Sequence, residues 1–197
     1  MRNEGKLWFS ELFKLLENNK NYPKYQFERR ADIFINHFLK DILKEKFCDD
    51  FNVIVPEFPL LYVANSHRCS NMDYLAISKS KQKIIIIELK TDGGSLTDYQ
   101  VSNYKKVKEN SLEWWKGVTD KIIARAARGT FKRKFEFLLS AISENNQVIT
   151  PSIFEVLFIA PDDSESYIKS KDVGFHFISF EKEWAKIKTK LIQAEQE

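Results

Sequence analysis

A strand-like segment of this sequence ends in a carboxylate and an ammonium group, which could take part in a metal-assisted reaction of a phosphate ester. Residues 84–87 are four isoleucines, and Glu88, Leu89 and Lys90 follow them directly. Because side chains alternate between the two faces of a strand, Glu88 and Lys90 are predicted to share one face, with Leu89 on the other. An ordinary strand that emerges into solvent with a surface ion pair is the alternative interpretation.

A second carboxylate is predicted to lie next to Glu88. Asp73 is near the start of the preceding predicted strand, residues 72–78, and the short connection 78–82 makes the two strands a hairpin, in which opposite residues lie close together. Two adjacent carboxylates repel unless a cation lies between them, and Mg²⁺ accepts one or two carboxylates together with waters and phosphate oxygens. With Lys90 beside it, such a site could activate water against a phosphate, so these residues predict metal-assisted phosphodiester hydrolysis.

The same residues resemble the PD-(D/E)XK nuclease superfamily, which has the restriction-endonuclease-like fold. The resemblance is carried by residues 71–77 (Asn-Met-Asp-Tyr-Leu-Ala-Ile), residues 84–90 (Ile-Ile-Ile-Ile-Glu-Leu-Lys) and the predicted helix after them. It implies that Lys90 orients or deprotonates the attacking water. It also implies a binding site for Mg²⁺ or Mn²⁺ with these ligands: Asp73, Glu88 and the main-chain carbonyl of Leu89.

Two further side chains fit this resemblance. Gln100 and Tyr104 reproduce the Gln-x-x-x-Tyr pattern of RecB-like nucleases, in which the Gln reaches toward the active site. Residues 97–100 (Thr-Asp-Tyr-Gln) also form a capping-box pattern, so a structural role at a helix start explains Gln100 equally well. Glu28 resembles the Glu that many members place on the first core helix near the metal, and an ordinary surface Glu at the rim of a helix is the alternative.

The segments around these residues predict an α/β fold. Helices are predicted over residues 7–16, 27–47, about 98–143 with breaks near Gly117 and Gly129, and 181–194. Strands are predicted over residues 53–63, 72–78, 84–87, 154–159 and 175–180. The polar stretch 65–71 is interpreted as a turn, and Pro56 and Pro59 favour a sheet edge or a bulge. We therefore expect a central mixed β-sheet flanked by helices, restriction-endonuclease-like, in a single domain over residues 1–197. Its core is expected at about 25–160, with the N-terminal helix and the C-terminal strand and helix as additions.

The distribution of charge favours nucleic acid, with DNA as the expected substrate. Lys and Arg number 31 against 28 Asp and Glu, yet residues 101–140 carry ten basic and only four acidic side chains. This local surplus suits a phosphate backbone, although a solvated helix face produces the same pattern. The side chains predicted to contact nucleic acid are Lys105, Lys106, Arg125, Arg128, Lys132 and Arg133.

Other sequence features favour a cytoplasmic protein that does not contact a membrane. Cys48 and Cys69 are too few for a disulfide framework, charged residues interrupt residues 2–14, and no apolar run approaches the 18 or so residues of a membrane span. The clustered carboxylates and lysine favour a nuclease. The alternatives are a non-cleaving nucleic-acid-binding module on the same fold and a purely structural interaction protein, and a homodimer is compatible with all three.

Overall fold

The computed structural model describes residues 8–20, 26–62, 69–80, 83–110 and 153–195, together with Trp114, Gly117, Arg133 and Glu136. The helices of the continuous segments are α1 (Trp8–Asn19), α2 (Phe27–Phe47), α3 (Asp98–Lys108), α4 (Glu165–Lys171) and α5 (Phe180–Ala194). The strands are β1 (Phe51–Tyr62), β2 (Cys69–Ser78), β3 (Lys83–Leu89), β4 (Ile153–Ala160) and β5 (His176–Ser179). The expected α/β class is therefore confirmed.

The five strands form one open mixed sheet in the order β1-β2-β3-β4-β5. β1, β2 and β3 are antiparallel neighbours, whereas β4 pairs in parallel with both β3 and β5. β3 is the central strand, and its isoleucines alternate between two apolar clusters, one on each face of the sheet. A strand that is apolar on both faces is buried on both faces, as the four isoleucines predict.

Helices cover both faces of the sheet. The first cluster packs one face against α3 and α4, and the second packs the other face against α1, α2 and α5. In α2, apolar residues recur every three or four positions, which gives the helix one buried stripe. Its buried residues are Ala31, Ile35, Leu39, Ile42, Leu43 and Phe47. This stripe fixes which side of α2 faces the sheet and therefore where the polar residues beside it point.

Strand β1 lies at the edge of the sheet, as its two prolines predict. Glu57, between Pro56 and Phe58, has a φ of 48°, in the left-handed region that side chains rarely adopt. Val55 and Phe58 both belong to the first apolar cluster although three positions separate them, so the alternation of faces is broken at this point. The register of β1 with β2 is unbroken around this residue, with Pro56 opposite Tyr74 and Phe58 opposite Met72, and it brings Glu57 next to Asp73.

The prediction of a turn over residues 65–71 is wrong for residues 69–71, which belong to β2. They are strand because β1 continues far enough to pair with them, with Tyr62 opposite Cys69. The predicted strand 175–180 is also shorter than expected. The Ser179 hydroxyl accepts a hydrogen bond from the Lys182 N–H and caps α5, so Phe180 is the first helical residue.

Candidate active site

The ends of β2 and β3 separate at the predicted site. The last pair of the ladder joins Tyr74 to Ile87, and one residue further Asp73 faces Glu88. There the N–H of Leu89 donates a hydrogen bond of 2.6 Å to Oδ2 of Asp73. The side chain of Asp73 thus takes the place of a main-chain acceptor, which fixes its carboxylate beside Glu88 where the strands part.

Glu88 is almost fully buried, at 2% exposure, and is surrounded by hydrogen-bond donors. Its Oε1 accepts from Lys90 Nζ at 2.7 Å and from Gln100 Nε2 at 3.3 Å, and its Oε2 accepts from the hydroxyl of Tyr104. Burial raises the pKa of Glu88 to about 7, and the charge of Asp73 adds to that rise. The contact with Lys90 lowers this pKa without cancelling the rise, so the carboxylate lacks sufficient positive charge around it.

Lys90 is the cation of the site, and it is only 7% exposed. Its ammonium lies 2.7 Å from Oε1 of Glu88 and 3.9 Å from Oε1 of Glu28, and it donates to the carbonyl oxygen of Leu89 at 3.2 Å. Burial lowers the pKa of Lys90, but the carboxylates of Glu88, Asp73 and Glu28 together raise it above its ordinary value. The side chain is therefore held as an ammonium in this arrangement.

Asp73 and Glu28 complete the charged group around Lys90. The charge of Asp73 raises the pKa of Glu88, and Asp73 accepts a hydrogen bond from the N–H of Leu89, the next residue after Glu88, so the two carboxyl groups are neighbours. Burial raises the pKa of Asp73 although the Leu89 N–H opposes the rise, and burial likewise raises the pKa of Glu28 although Lys90 opposes it. Three carboxylates thus share one ammonium, and this local excess of negative charge is relieved by protons or by a second cation.

Gln100 performs both of the roles that the sequence leaves open. Its Oε1 accepts from the Thr97 N–H at 3.2 Å and its own N–H donates to the Thr97 hydroxyl, which completes the capping box of α3. Its Nε2 donates to Glu88 at the same time. One amide can make both contacts because its oxygen accepts a hydrogen bond while its nitrogen, which points in a different direction, donates one. The start of α3 is thereby tied to the predicted site.

Sequence reasoning overlooked two acidic residues close to Asp73. Asp32 lies one helical turn after Glu28 on α2 and accepts a hydrogen bond from the hydroxyl of Tyr74. Burial raises the pKa of Asp32 to about 6, and the charges of Asp73 and Glu57 add to the rise. The i, i+4 spacing of Glu28 and Asp32 was available as a signal. Glu57 has no comparable signal, because its position depends on the register with which β1 pairs with β2.

The residues predicted to contact nucleic acid are only partly described. Lys105 and Lys106 are exposed on α3, on the turns that lead away from the site, and Arg133 is an exposed helical residue. The predictions for Arg125, Arg128 and Lys132 fall outside the described residues. Lys105 lies 3.8 Å from Glu109, an exposed i, i+4 pair that contributes little energy. The described part of the basic segment thus offers two accessible ammonium groups on the helix that begins at the site.

The donors at the site suit a cation that needs few protein ligands. Within the described residues, no three His, Cys, Asp or Glu side chains form a group that could hold a metal ion. Asp73 and Glu88 supply two carboxylates, and the carbonyl of Leu89 supplies a third oxygen beside them. Mg²⁺ is commonly bound by one or two carboxylates and completes its octahedron with water and phosphate oxygens. This donor set therefore fits Mg²⁺ or Mn²⁺ and does not fit a closed structural zinc site.

Comparison of the chain with protein-family models, with curated proteins and with solved structures finds no match. No helix in the described part of the chain is long and apolar enough to cross a membrane. The function has to be inferred from the arrangement of Asp73, Glu88 and Lys90 and from the charges around them.

Proposed function

We propose that this protein is a nuclease that uses Mg²⁺ or Mn²⁺ to hydrolyse phosphodiester bonds in DNA. The observation that carries the proposal is the meeting of Asp73, Glu88 and Lys90 where β2 and β3 separate, with more carboxylate than ammonium charge. We also propose that the fold is restriction-endonuclease-like. Its support is the order of elements, in which a helix, three antiparallel strands, a helix and a parallel strand follow one another.

The carboxylates of Asp73 and Glu88 and the carbonyl of Leu89 would hold the cation. When bound, the cation lowers the pKa of a coordinated water and neutralises charge that develops on the phosphate. Gln100 and Tyr104 orient the Glu88 carboxylate through their hydrogen bonds to its two oxygens. Because Tyr104 is 1% exposed and Gln100 is fixed in the capping box, the carboxylate is held in place before substrate arrives.

Lys90 would act as a donor of hydrogen bonds and positive charge. Its pKa lies above the ordinary lysine value, so at neutral pH the side chain is protonated and cannot take a proton from water in this arrangement. An ammonium beside the scissile phosphate stabilises the negative charge of the transition state and orients the attacking water. Of the two roles that the superfamily resemblance implies for this lysine, the electrostatic one is supported by these surroundings.

DNA is proposed as the substrate because α3 leads from the site to accessible basic side chains. Gln100, near the start of this helix, contacts Glu88, and Lys105 and Lys106 follow five and six residues later. At a rise of about 1.5 Å per residue they lie roughly 8 to 9 Å further along the helix. Phosphates follow one another at about 3.4 Å along the axis of each DNA strand, so these lysines are placed to contact phosphates a few positions away from the cut.

A cleavage assay tests the proposal. The purified chain is incubated with linear duplex, nicked, single-stranded and junction DNA, with Mg²⁺, with Mn²⁺ or with a chelator. The parent is expected to cleave at least one substrate only when a metal is present. Glu88→Gln is expected to lose at least about 100-fold in rate, since preorganised charge of this kind supplies several kcal/mol. Glu165→Gln is the matched control and should cleave like the parent, because this side chain on α4 is 44% exposed and pairs with Lys169.

The same experiment separates the proposal from its alternatives. A parent that binds DNA but cleaves none of the substrates under any metal condition would identify a non-cleaving binding module. A parent that neither binds nor cleaves would contradict a role with nucleic acid altogether. Light scattering on the same preparation tests whether the chain forms a homodimer.

A further inference from the structure

The ammonium of Lys90 contacts one carboxylate oxygen of Glu88 and the carbonyl oxygen of Leu89. The proposed function assigns these two oxygens, and the carboxylate of Asp73, to a metal ion. The ammonium is 2.7 Å from Oε1 of Glu88 and 3.2 Å from the carbonyl oxygen of Leu89. We propose that Lys90 occupies the cation position of the metal-free protein and must move to Glu28 before a divalent ion can bind. This inference depends on the proposed metal site but makes a separate claim, namely that Lys90 competes with the metal.

The hydrogen bonds of Glu88 indicate which of its donors a metal ion would displace. A carboxylate offers about four acceptor sites, and three donors already use three of the four on Glu88. Gln100 is held at its other end by Thr97, and Tyr104 is buried in the apolar cluster, so neither can withdraw without breaking the start or the packing of α3. Lys90 is at the end of a flexible four-carbon chain, and its contacts with Glu88 and with the Leu89 carbonyl can be exchanged for a contact with Glu28. It is the donor that can leave at the lowest cost.

Electrostatics favour the same movement. A divalent ion at Glu88 and Leu89 would lie within hydrogen-bonding distance of the ammonium, and like charges this close repel strongly in a buried site. Glu28 provides the alternative partner, because its Oε1 is already 3.9 Å from Lys90 Nζ and its side chain is 36% exposed. Its pKa is raised by burial, so the carboxylate gains from a closer positive charge. Glu28 is thus a positioning residue that acts through Lys90.

Metal affinity without any nucleic acid tests this competition. Mn²⁺ binding to the full chain is measured by calorimetry for the parent and for Lys90→Met, which keeps an unbranched side chain, one atom shorter, and removes its charge. Lys90→Met is expected to bind Mn²⁺ at least about tenfold more tightly, because the competing cation is gone. Lys108→Met, in the ion pair at the other end of α3, is the matched control and should bind like the parent.

A double-mutant cycle identifies the role of Glu28. Glu28→Gln is expected to weaken Mn²⁺ binding about threefold or more in the parent, since the displaced ammonium loses its partner. In the Lys90→Met background the same change should leave Mn²⁺ affinity unaltered. Weakening of equal size in both backgrounds would instead make Glu28 a direct ligand, and the proposed movement to Glu28 would be wrong.

Unchanged or weaker Mn²⁺ affinity in a folded Lys90→Met variant would overturn the competition, and so would a parent that binds no Mn²⁺. If Lys90→Met fails to fold by circular dichroism, Lys90→Gln provides the same comparison. The result is independent of the cleavage assay. A parent that cleaves DNA while Lys90→Met binds Mn²⁺ no more tightly disproves only the competition, whereas tighter binding without any cleavage by the parent disproves only the nuclease.

Discussion

Helix α3 has a lysine–carboxylate pair near each end, and the two pairs differ in their surroundings. Near its start, Lys90 contacts Glu88 at 2.7 Å, and two side chains of α3 donate to the same carboxylate. At its end, Lys108 contacts Asp172 at 3.3 Å. The first pair is almost fully buried, with side chains 9% and 3% exposed, whereas the side chains of the second pair are 20% and 17% exposed. The two pairs therefore differ in burial as well as in the charges around them.

The pKa directions show the difference. Burial raises the pKa of Asp172, but the hydrogen bonds from the Gly174 N–H and from Lys108 outweigh it, and the pKa is lowered overall. The pKa of Glu88 is raised to about 7 in spite of Lys90, because burial and the charge of Asp73 outweigh the ammonium. A structural ion pair balances its charges within the protein. The pair near the start of α3 does not, and such imbalance is typical of sites that bind something further.

Loss of one carboxylate should have the largest effect on DNA cleavage, and only beside the Lys90–Glu88 pair. Asp73→Asn is expected to reduce DNA cleavage by about 10² to 10³-fold, because a ligand of the cation and part of the preorganised charge are removed. The matched change Asp172→Asn should leave the cleavage rate within about twofold of the parent. Initial rates at saturating Mg²⁺ measure both. Equal losses in the two variants would mean that both pairs only hold α3 in place.

The pH dependence of stability should differ in sign between the two pairs. The folded pKa of Glu88 lies above its ordinary value of 4.5, so between about pH 4.5 and 7 the folded state binds more protons than the unfolded state. The free energy of unfolding of the metal-free protein should therefore fall as the pH rises through this window, by an amount on the order of a few kcal/mol. Asp172 has a lowered pKa, so its contribution is present above its ordinary value of 3.8 and is lost as the pH falls below it.

Urea unfolding at several pH values, with a chelator present, measures these slopes. Glu88→Gln should flatten the fall between pH 4.5 and 7, although Asp32, with a pKa of about 6, maintains part of it. Asp172→Asn should leave that window unchanged and reduce the loss of stability at acid pH. A slope that Glu88→Gln does not alter would show that Glu88 is not the group that titrates there.

Much of the site could be predicted because strand geometry is regular. The four isoleucines before Glu88 identify the central strand, and the short connection to β2 brings Asp73 to its side. The capping pattern gives the start of α3 at Asp98 correctly, and this places Gln100 at Glu88. Each of these inferences depends on periodicity or on a short loop, and both are local properties of the sequence.

The remainder depends on contacts between distant segments or on unusual backbone geometry. Asp32 approaches Asp73 because α2 packs across the sheet, and the hydrogen bond from Tyr74 spans 42 residues of sequence. Glu57 adopts a left-handed conformation that is rare for its residue type. Helix α4 has only seven residues, with Ile168 as its buried apolar residue, so no periodic stripe could predict it. Local patterns contain little information on such features.

The smallest expected effect concerns the exposed face of α3 between the two pairs. Lys106 has no ion pair with a described residue, whereas Lys105 lies 3.8 Å from Glu109. If DNA follows this helix, Lys106→Gln should lower the salt slope of DNA binding by roughly one and weaken all sequences about equally. Lys105→Gln should change the slope less, because Glu109 already neutralises part of its charge.

Fluorescence anisotropy of labelled DNA at several salt concentrations, with a chelator to prevent cleavage, measures both slopes. Lys169→Gln on α4 is the matched control, since its ammonium is exposed and paired with Glu165 in the same i, i+4 geometry as Lys105 with Glu109. It should bind DNA like the parent. If the slope is unchanged in both α3 variants, these lysines form only a solvated helix face. The path of the phosphate backbone would then have to be sought elsewhere on the protein, and the charge of α3 would no longer support DNA as the substrate.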